Sequence, residues 1–245
     1  MIIVHYREIA LKGKNRIDFE RKLRGNIKDC LKKNNIEFIQ VKRSRGRIAI
    51  ETDQECPQLS KVFGISHFSY SKECKQDLDI IKQEALKLYT EGTFCVRCKR
   101  SDKNFKPSNE LEQEIGGYIV EHTGAKVKLK EPDTTIYIEI ANNKAYIFTD
   151  KIKGPGGLPL GTDSHVILLL QNKDSINAGL MVMKRGCSLD IIKEKDIDYS
   201  KLFEYEYGIR INELEKMPDN PEAVIVSDRL DSLKEYPYFV LRPLI

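Results

Sequence analysis

No part of this 245-residue chain is apolar for long; the longest such run is Val166–Leu170. A membrane-spanning helix needs about 20 apolar residues, so none is expected. The chain opens on Ile2-Ile3-Val4 without the pattern of a secretion signal, and a cytoplasmic location is the expectation. Cysteine is sparse and scattered, at positions 30, 56, 74, 95, 98 and 187. That distribution speaks for free thiols rather than a disulfide framework. Cys95 and Cys98 form the one close pair, yet residues three apart on a strand point to opposite faces. No second pair or nearby histidine completes a zinc set, so no metal is expected. His5, His67, His122 and His165 lack metal-site or triad spacing and read as packing or surface residues. Walker loops, dinucleotide fingerprints, internal repeats and low-complexity tracts are also missing.

Charge is abundant but uneven. The net charge of +4 conceals a split: residues 1–106 hold 24 Lys and Arg against 14 Asp and Glu, while residues 107–245 hold 17 against 23. Such asymmetry points to a polyanionic partner for the first part. Five cations lie close together there: Arg97, Lys99, Arg100, Lys103 and Lys106, with Phe105 among them. Phe94, Val96 and Cys98 alternate with Cys95, Arg97 and Lys99, so a strand would bury one face and present cations on the other. Phosphate contacts and a ring for an unpaired base fit that mixture. A solvated edge strand that resists aggregation is the plainer alternative.

Along the chain, Met1–Tyr6 is a strand candidate followed by a basic loop holding Lys12, Lys14 and Arg16. Asn15 is placed to cap a helix in which Phe19, Leu23, Ile27 and Leu31 recur every four residues. Phe38–Arg43 and Arg47–Thr52 read as a hairpin around Ser44-Arg45-Gly46, a short helix stops at Gly64, and Ile65–Ser71 is a last strand. The order βαββαβ describes a ferredoxin-like unit over residues 1–72. Lys42, Arg43, Arg45 and Arg47 are expected to join its basic face. A second unit, residues 73–161, begins with a helix from Asp77 to Tyr89. It continues through the basic strand to a helix with Ser108 or Asn109 as cap, Asn109 with Glu112 forming a capping box, and Gly124 as its stop. Thr134–Ile140 and Ala145–Thr149 then pair across Asn142-Asn143. Gly154, Gly156, Gly157 and Gly161 let backbone approach closely, whether to another segment or to a ligand; an interdomain linker is the alternative. In the third unit, residues 162–245, strand His165–Leu170, helix Ile176–Met183, and strands near Leu189–Ile192 and Ala223–Val226 are α/β in character. The fold class is therefore α/β, with an α+β N-terminal part.

The runs RCKRSDKNF, ELEQEIGGYI, TIYIEIANNKAYIF and GPGGLPLGT resemble the THUMP domain of the tRNA 4-thiouridine sulfurtransferases, and EIALKGKNRIDFE resembles that family's N-terminal signature. The resemblance implies tRNA binding, with the acceptor end held by the THUMP domain. It also implies a following PP-loop domain that adenylates a uridine with ATP before sulfur insertion, and it favours a homodimer.

The third unit departs from that pattern. Where the family has a Ser-Gly-Gly-x-Asp-Ser pyrophosphate loop, this chain reads Gln171-Asn172-Lys173-Asp174-Ser175. Glycines there let backbone N–H groups converge on phosphates; side chains at Asn172 and Lys173 obstruct this. The family's later nucleotide contact is replaced by Ser227-Asp228-Arg229-Leu230, and Cys187 does not match the sulfur-handling cysteine. The expectation is a tRNA-binding protein with a small, degenerate Rossmann-like PP-loop remnant, no catalytic residues and no cofactor. Phosphate contacts are assigned to Lys12, Lys14, Arg16, Arg97, Lys99, Arg100 and Lys103, stacking to Phe105, and close approach to the four glycines. One alternative is a minimal sulfurtransferase using ATP with magnesium, alone or with parts from a tRNA-modification partner. Another is an assembly subunit with Leu168–Leu170 and Val224–Val226 at an interface, although core strands explain those runs more simply.

Overall fold

A computed structural model of the chain describes every residue except Arg45, Asp102, Lys103 and Ser232. The chain divides into two compact units. The first comprises residues 1–4, 42–55 and 68–152, and the second residues 5–41, 56–67 and 153–245.

The N-terminal strands are β1 (Ile2–His5), β2 (Gln40–Ser44), β3 (Arg47–Glu51) and β4 (His67–Tyr70). With β9 (Ile152–Lys153) they form a sheet of order β2-β3-β1-β4-β9. Helix α1 (Arg16–Lys33) follows two short 3-10 turns. It ends at Asn34, as its sequence suggests, but Asn15 makes no side-chain cap. The expected short helix before Gly64 is a 3-10 turn, Pro57–Lys61.

The first unit also holds β5 (Lys72–Lys75), α2 (Leu78–Leu88), β6 (Phe94–Arg100), α3 (Ser108–Thr123), β7 (Thr134–Ala141) and β8 (Lys144–Phe148). The sheet order is β5-β8-β7-β6, with β6 parallel to β7. Ile81 and Ala85 of α2, Leu111, Ile115 and Ile119 of α3, and Ile136, Ile138 and Ile140 of β7 share one fully buried core. Asp77 caps α2 by accepting from the amides of Asp79 and Ile80. Asn142 and Asn143 both take positive φ in the β7–β8 turn, the conformation a two-residue hairpin loop demands. Gly124 ends α3 at φ 70°. The capping box is not made: Pro107 stands at the cap, and Glu112 instead accepts from the backbone amide of Cys98 at 2.8 Å. The carboxylate thus satisfies a donor on the open edge of β6, which outweighs a local cap.

In the second unit, β10 (His165–Leu170), α4 (Asp174–Lys184), β11 (Ser188–Lys193), α5 (Ser200–Phe203), β12 (Val224–Ile225) and β13 (Val240–Leu241) build a parallel sheet of order β11-β10-β12-β13. Leu168, Leu170, Val224, Ile225 and Val226 are fully buried. These strands serve the interior, the simpler of the two readings of their apolar runs. Helix α1 is bound into this unit: Asn26 donates to the Leu160 carbonyl, and Asp29 accepts from the Gly208 amide. Among the described residues, no helix is long and apolar enough to cross a membrane.

Candidate nucleic-acid interface

Strand β6 carries the site in the first unit. Its register sets Arg97 beside Tyr137 and Lys99 beside Glu139 of β7. Alternation sends Phe94 and Val96 into the core, while Arg97 and Lys99 are exposed. Cys95 departs from the expected alternation, being buried with its thiol toward Thr135 Oγ1. Arg97, Lys99, Tyr137, Glu139 and Lys151 line a pocket of about 400 Å³. Lys151 Nζ lies 3.6 Å from the Tyr137 ring centroid, and that ring stacks on Phe148. Burial holds the Lys151 ammonium below its ordinary value; Glu139 draws it up and Lys99 pushes it down. The pocket therefore combines three cations with one aromatic face, a pairing that suits phosphate and base together.

Two carboxylates also line the pocket, Glu112, which takes the Cys98 amide, and Glu139, which is neutralised from within. Glu139 is buried and forms an ion pair with Arg47, itself 2% exposed, at 2.5 Å. Arg47 was expected on the basic surface; burial beside a carboxylate removes it from that role, because a charge taken out of water needs a partner. The signal was present in the sequence as the lone acid in the apolar run Ile136–Ala141. Lys151 was missed because it lies outside the basic run and no local pattern ties it to Tyr137.

The remaining assigned residues are placed as follows. Arg97 donates to the Leu129 carbonyl at 2.7 Å. Arg100 turns to its own loop and donates to the Phe105 carbonyl at 3.0 Å. Phe105 packs partly buried against the core of the first unit, which reduces the face available for stacking. Lys106 pairs with Glu114 at 2.5 Å. Lys103 and Arg45 lie outside the described residues. Lys12 and Lys14 are exposed in the second unit, Lys12 with its ammonium over the Phe19 ring. Arg16 is engaged by Glu20 at 2.7 Å and Tyr6 at 3.0 Å. These three cations belong to a different compact unit from those of β6.

The glycines meet their own chain. A Cβ at Gly154 would lie 2.3 Å from the Ile65 carbonyl oxygen, and one at Gly157 2.1 Å from that of Lys184. The close approach the sequence requires at these two positions is to neighbouring backbone. Gly156 exchanges hydrogen bonds with Gly64 and Ile65, and Gly161 donates to the Gly186 carbonyl.

At the carboxyl end of β10, the strand order reverses between β10 and β12, the place where open α/β sheets bind ligands. Here the turn is filled by its own groups. Ser175 is fully buried, and its Oγ accepts from the amides of Gln171 and Asn172 at 3.1 and 3.3 Å and donates to Ser227 Oγ at 3.0 Å. The Asp174 amide goes to Asn172 Oδ1 and the Ser175 amide to the Asn172 carbonyl. Amides that would face a polyphosphate have acceptors inside the turn. Around them Gln171 donates to Tyr236 Oη and Glu194, Tyr236 donates to Asp228, and Arg242 binds Asp228. Arg229 binds Asp174 at 2.7 Å. Lys173 is exposed beside this turn.

Cysteine and histidine chemistry is quiet. Burial pushes the Cys98 thiol up to about 12, with Glu112 adding to it, and the Cys187 thiol up to about 11. Cys56 alone is drawn down, chiefly by the Cys30 thiol. His165 does meet Ser188 Oγ at 2.9 Å and Asp190 at 3.0 Å, a constellation the sequence spacing did not reveal. It stands at the amino ends of β10 and β11, opposite the ligand-bearing end, and clips the two strand starts together. Among the described residues, no cluster of His, Cys, Asp and Glu could hold a metal ion.

Comparison with known proteins agrees with this architecture. Residues 1–69 match the ThiI ferredoxin-like domain and residues 75–150 the THUMP domain. A probable tRNA sulfurtransferase of Bacillus pumilus is 40% identical over 206 residues, covering 78% of this chain and 50% of the relative. The chain thus spans about half the length of the curated relatives it matches. The crystal structure of PH1313 from Pyrococcus horikoshii superposes with a TM-score of 0.87 at 30% identity, covering 100% of this chain and 94% of that one. A 4-thiouridine synthetase–RNA complex with bound ATP superposes with a TM-score of 0.66 at 34% identity, over 78% of this chain and 52% of that one. Through its ThiI ferredoxin-like and THUMP domains, the chain belongs to the family of the tRNA 4-thiouridine sulfurtransferases.

Proposed function

We propose that this protein binds tRNA through the cationic pocket of its THUMP domain and carries out no ATP-dependent thiolation of its own. The observation that carries the binding half is that Arg97, Lys99 and Lys151 line one pocket with Tyr137, the Lys151 ammonium lying over that ring. Support comes from the similar 4-thiouridine synthetase, whose structure is an RNA complex. tRNA is the expected ligand, since relatives at 36 to 40% identity are named probable tRNA sulfurtransferases, and the family resemblance points to its acceptor end. The catalytic half rests on Ser175, whose hydroxyl already takes the amides of Gln171 and Asn172.

Two titrations test the reading. Binding of unmodified tRNA, followed across a salt series, is expected to weaken steeply, because each neutralised phosphate releases counterions. No binding at low salt removes the proposal. Calorimetry with Mg-ATP is expected to give no heat of binding. A micromolar Kd for Mg-ATP favours the second reading, a minimal sulfurtransferase, to which the 40% identity with a named sulfurtransferase lends weight.

A further inference from the structure

Helix α3 carries two consecutive glycines, Gly116 and Gly117, in its interior, where only proline is less favourable. The protein's own packing does not require them: a Cβ at either position meets no heavy atom within 4 Å. Gly179 in α4 differs, since a Cβ there would lie 2.9 Å from Leu168. The room left by Gly116 and Gly117 belongs to a second pocket of about 400 Å³, walled by Phe94, Val96, Val127 and Leu129 and edged by Asn109 and Gln113.

The far wall is a fixed ribbon. Lys126 accepts from the Phe94 amide, Lys128 donates back to the Phe94 carbonyl, and Arg97 holds the Leu129 carbonyl. Along it Lys126, Lys128 and Lys130 alternate with Val127 and Leu129, all exposed. Arg97, Glu112 and Leu129 line both this pocket and the cationic one, so the two adjoin.

We propose that this groove is a nucleobase subsite. An unpaired base enters between Gly116–Gly117 and the Val127–Leu129 ribbon, the Asn109 and Gln113 amides meet its polar edge, and Lys126, Lys128 and Lys130 face the flanking phosphates. An apolar slot with amides at one rim matches the flat face and polar edge of a base, and the lysine row matches the polyanion that carries it. The proposal rests on the RNA-binding reading above and names where that RNA inserts.

The test uses the full chain and its Gly117→Leu variant. Leucine fills the groove while favouring helix over glycine, so thermal unfolding should show the fold retained. The probe is an RNA strand of about twelve nucleotides containing 2-aminopurine, offered single-stranded or annealed to its complement. The wild type is expected to bind the single strand about tenfold tighter than the duplex, with a change in 2-aminopurine emission. Gly117→Leu should lose that preference and keep its duplex affinity. Equal binding of both RNAs by the wild type, or a preference retained in Gly117→Leu, overturns the subsite while leaving RNA binding standing. Failure to bind either RNA overturns both.

Discussion

The edge of β6 and the carboxyl end of β10 are both places where a fold of this type leaves polar groups to be used, and they end in opposite states. At β6 the backbone edge is satisfied by Glu112 and by the ribbon at residues 126–128, so Arg97, Lys99 and Lys151 face the pocket. At β10 the side chains satisfy one another: Ser175 with Ser227, Tyr236 with Asp228, Arg229 with Asp174. Charge alone does not make a binding site. What separates the two regions is that Arg229 and Arg242 are held by Asp174 and Asp228, whereas Arg97, Lys99 and Lys151 are in no ion pair among the described residues.

The largest test of this contrast is Arg47→Ala. It leaves Glu139 buried without its cation, and denaturant unfolding should show a loss of about 3–5 kcal/mol. Replacing both partners with apolar residues should restore most of it; an unstable double variant would mean that the pair is not the cause. Next, Arg97→Ala/Lys99→Ala/Lys151→Ala should weaken tRNA binding at least about tenfold, roughly 1.4 kcal/mol. The slope of log K against log salt should fall by about one per cation removed. An unchanged slope would move the phosphates elsewhere. At the closed turn, Tyr236→Phe removes the hydroxyl joining Gln171 to Asp228 and should cost about 1–2 kcal/mol of stability with tRNA affinity unaltered. A loss of affinity there would erase the contrast.

The smallest effect is one of pH. Burial, with the Glu20 carboxylate as acceptor, pushes the Tyr6 phenol up from 10.0 to about 12. A raised pKa means the folded state holds the proton more tightly than the unfolded chain. The resulting stability is full below pH 10 and drains as pH rises from 10 to about 12. Thermal unfolding across that window should fall more steeply for the wild type than for Tyr6→Phe.

Much of this could be read in the residues. The Phe94–Arg100 strand, the Asn142-Asn143 turn and the Gly124 stop follow from alternation and from backbone conformations few residues adopt. Arg47 and Lys151 could not, because a cation's role depends on which carboxylate or ring the fold sets beside it. Glu112 likewise looked like a capping residue until the edge of β6 claimed it.

Sequence by itself determined the main helices and strands and the two recognisable N-terminal domains, since these rest on local periodicity and local backbone freedom. Tertiary structure alone decided which cations stay available, what the glycines approach and what fills the crevice beyond β10. Those outcomes depend on desolvation and pairing between groups far apart in the chain, as Arg47 and Glu139 are, and no local pattern records them.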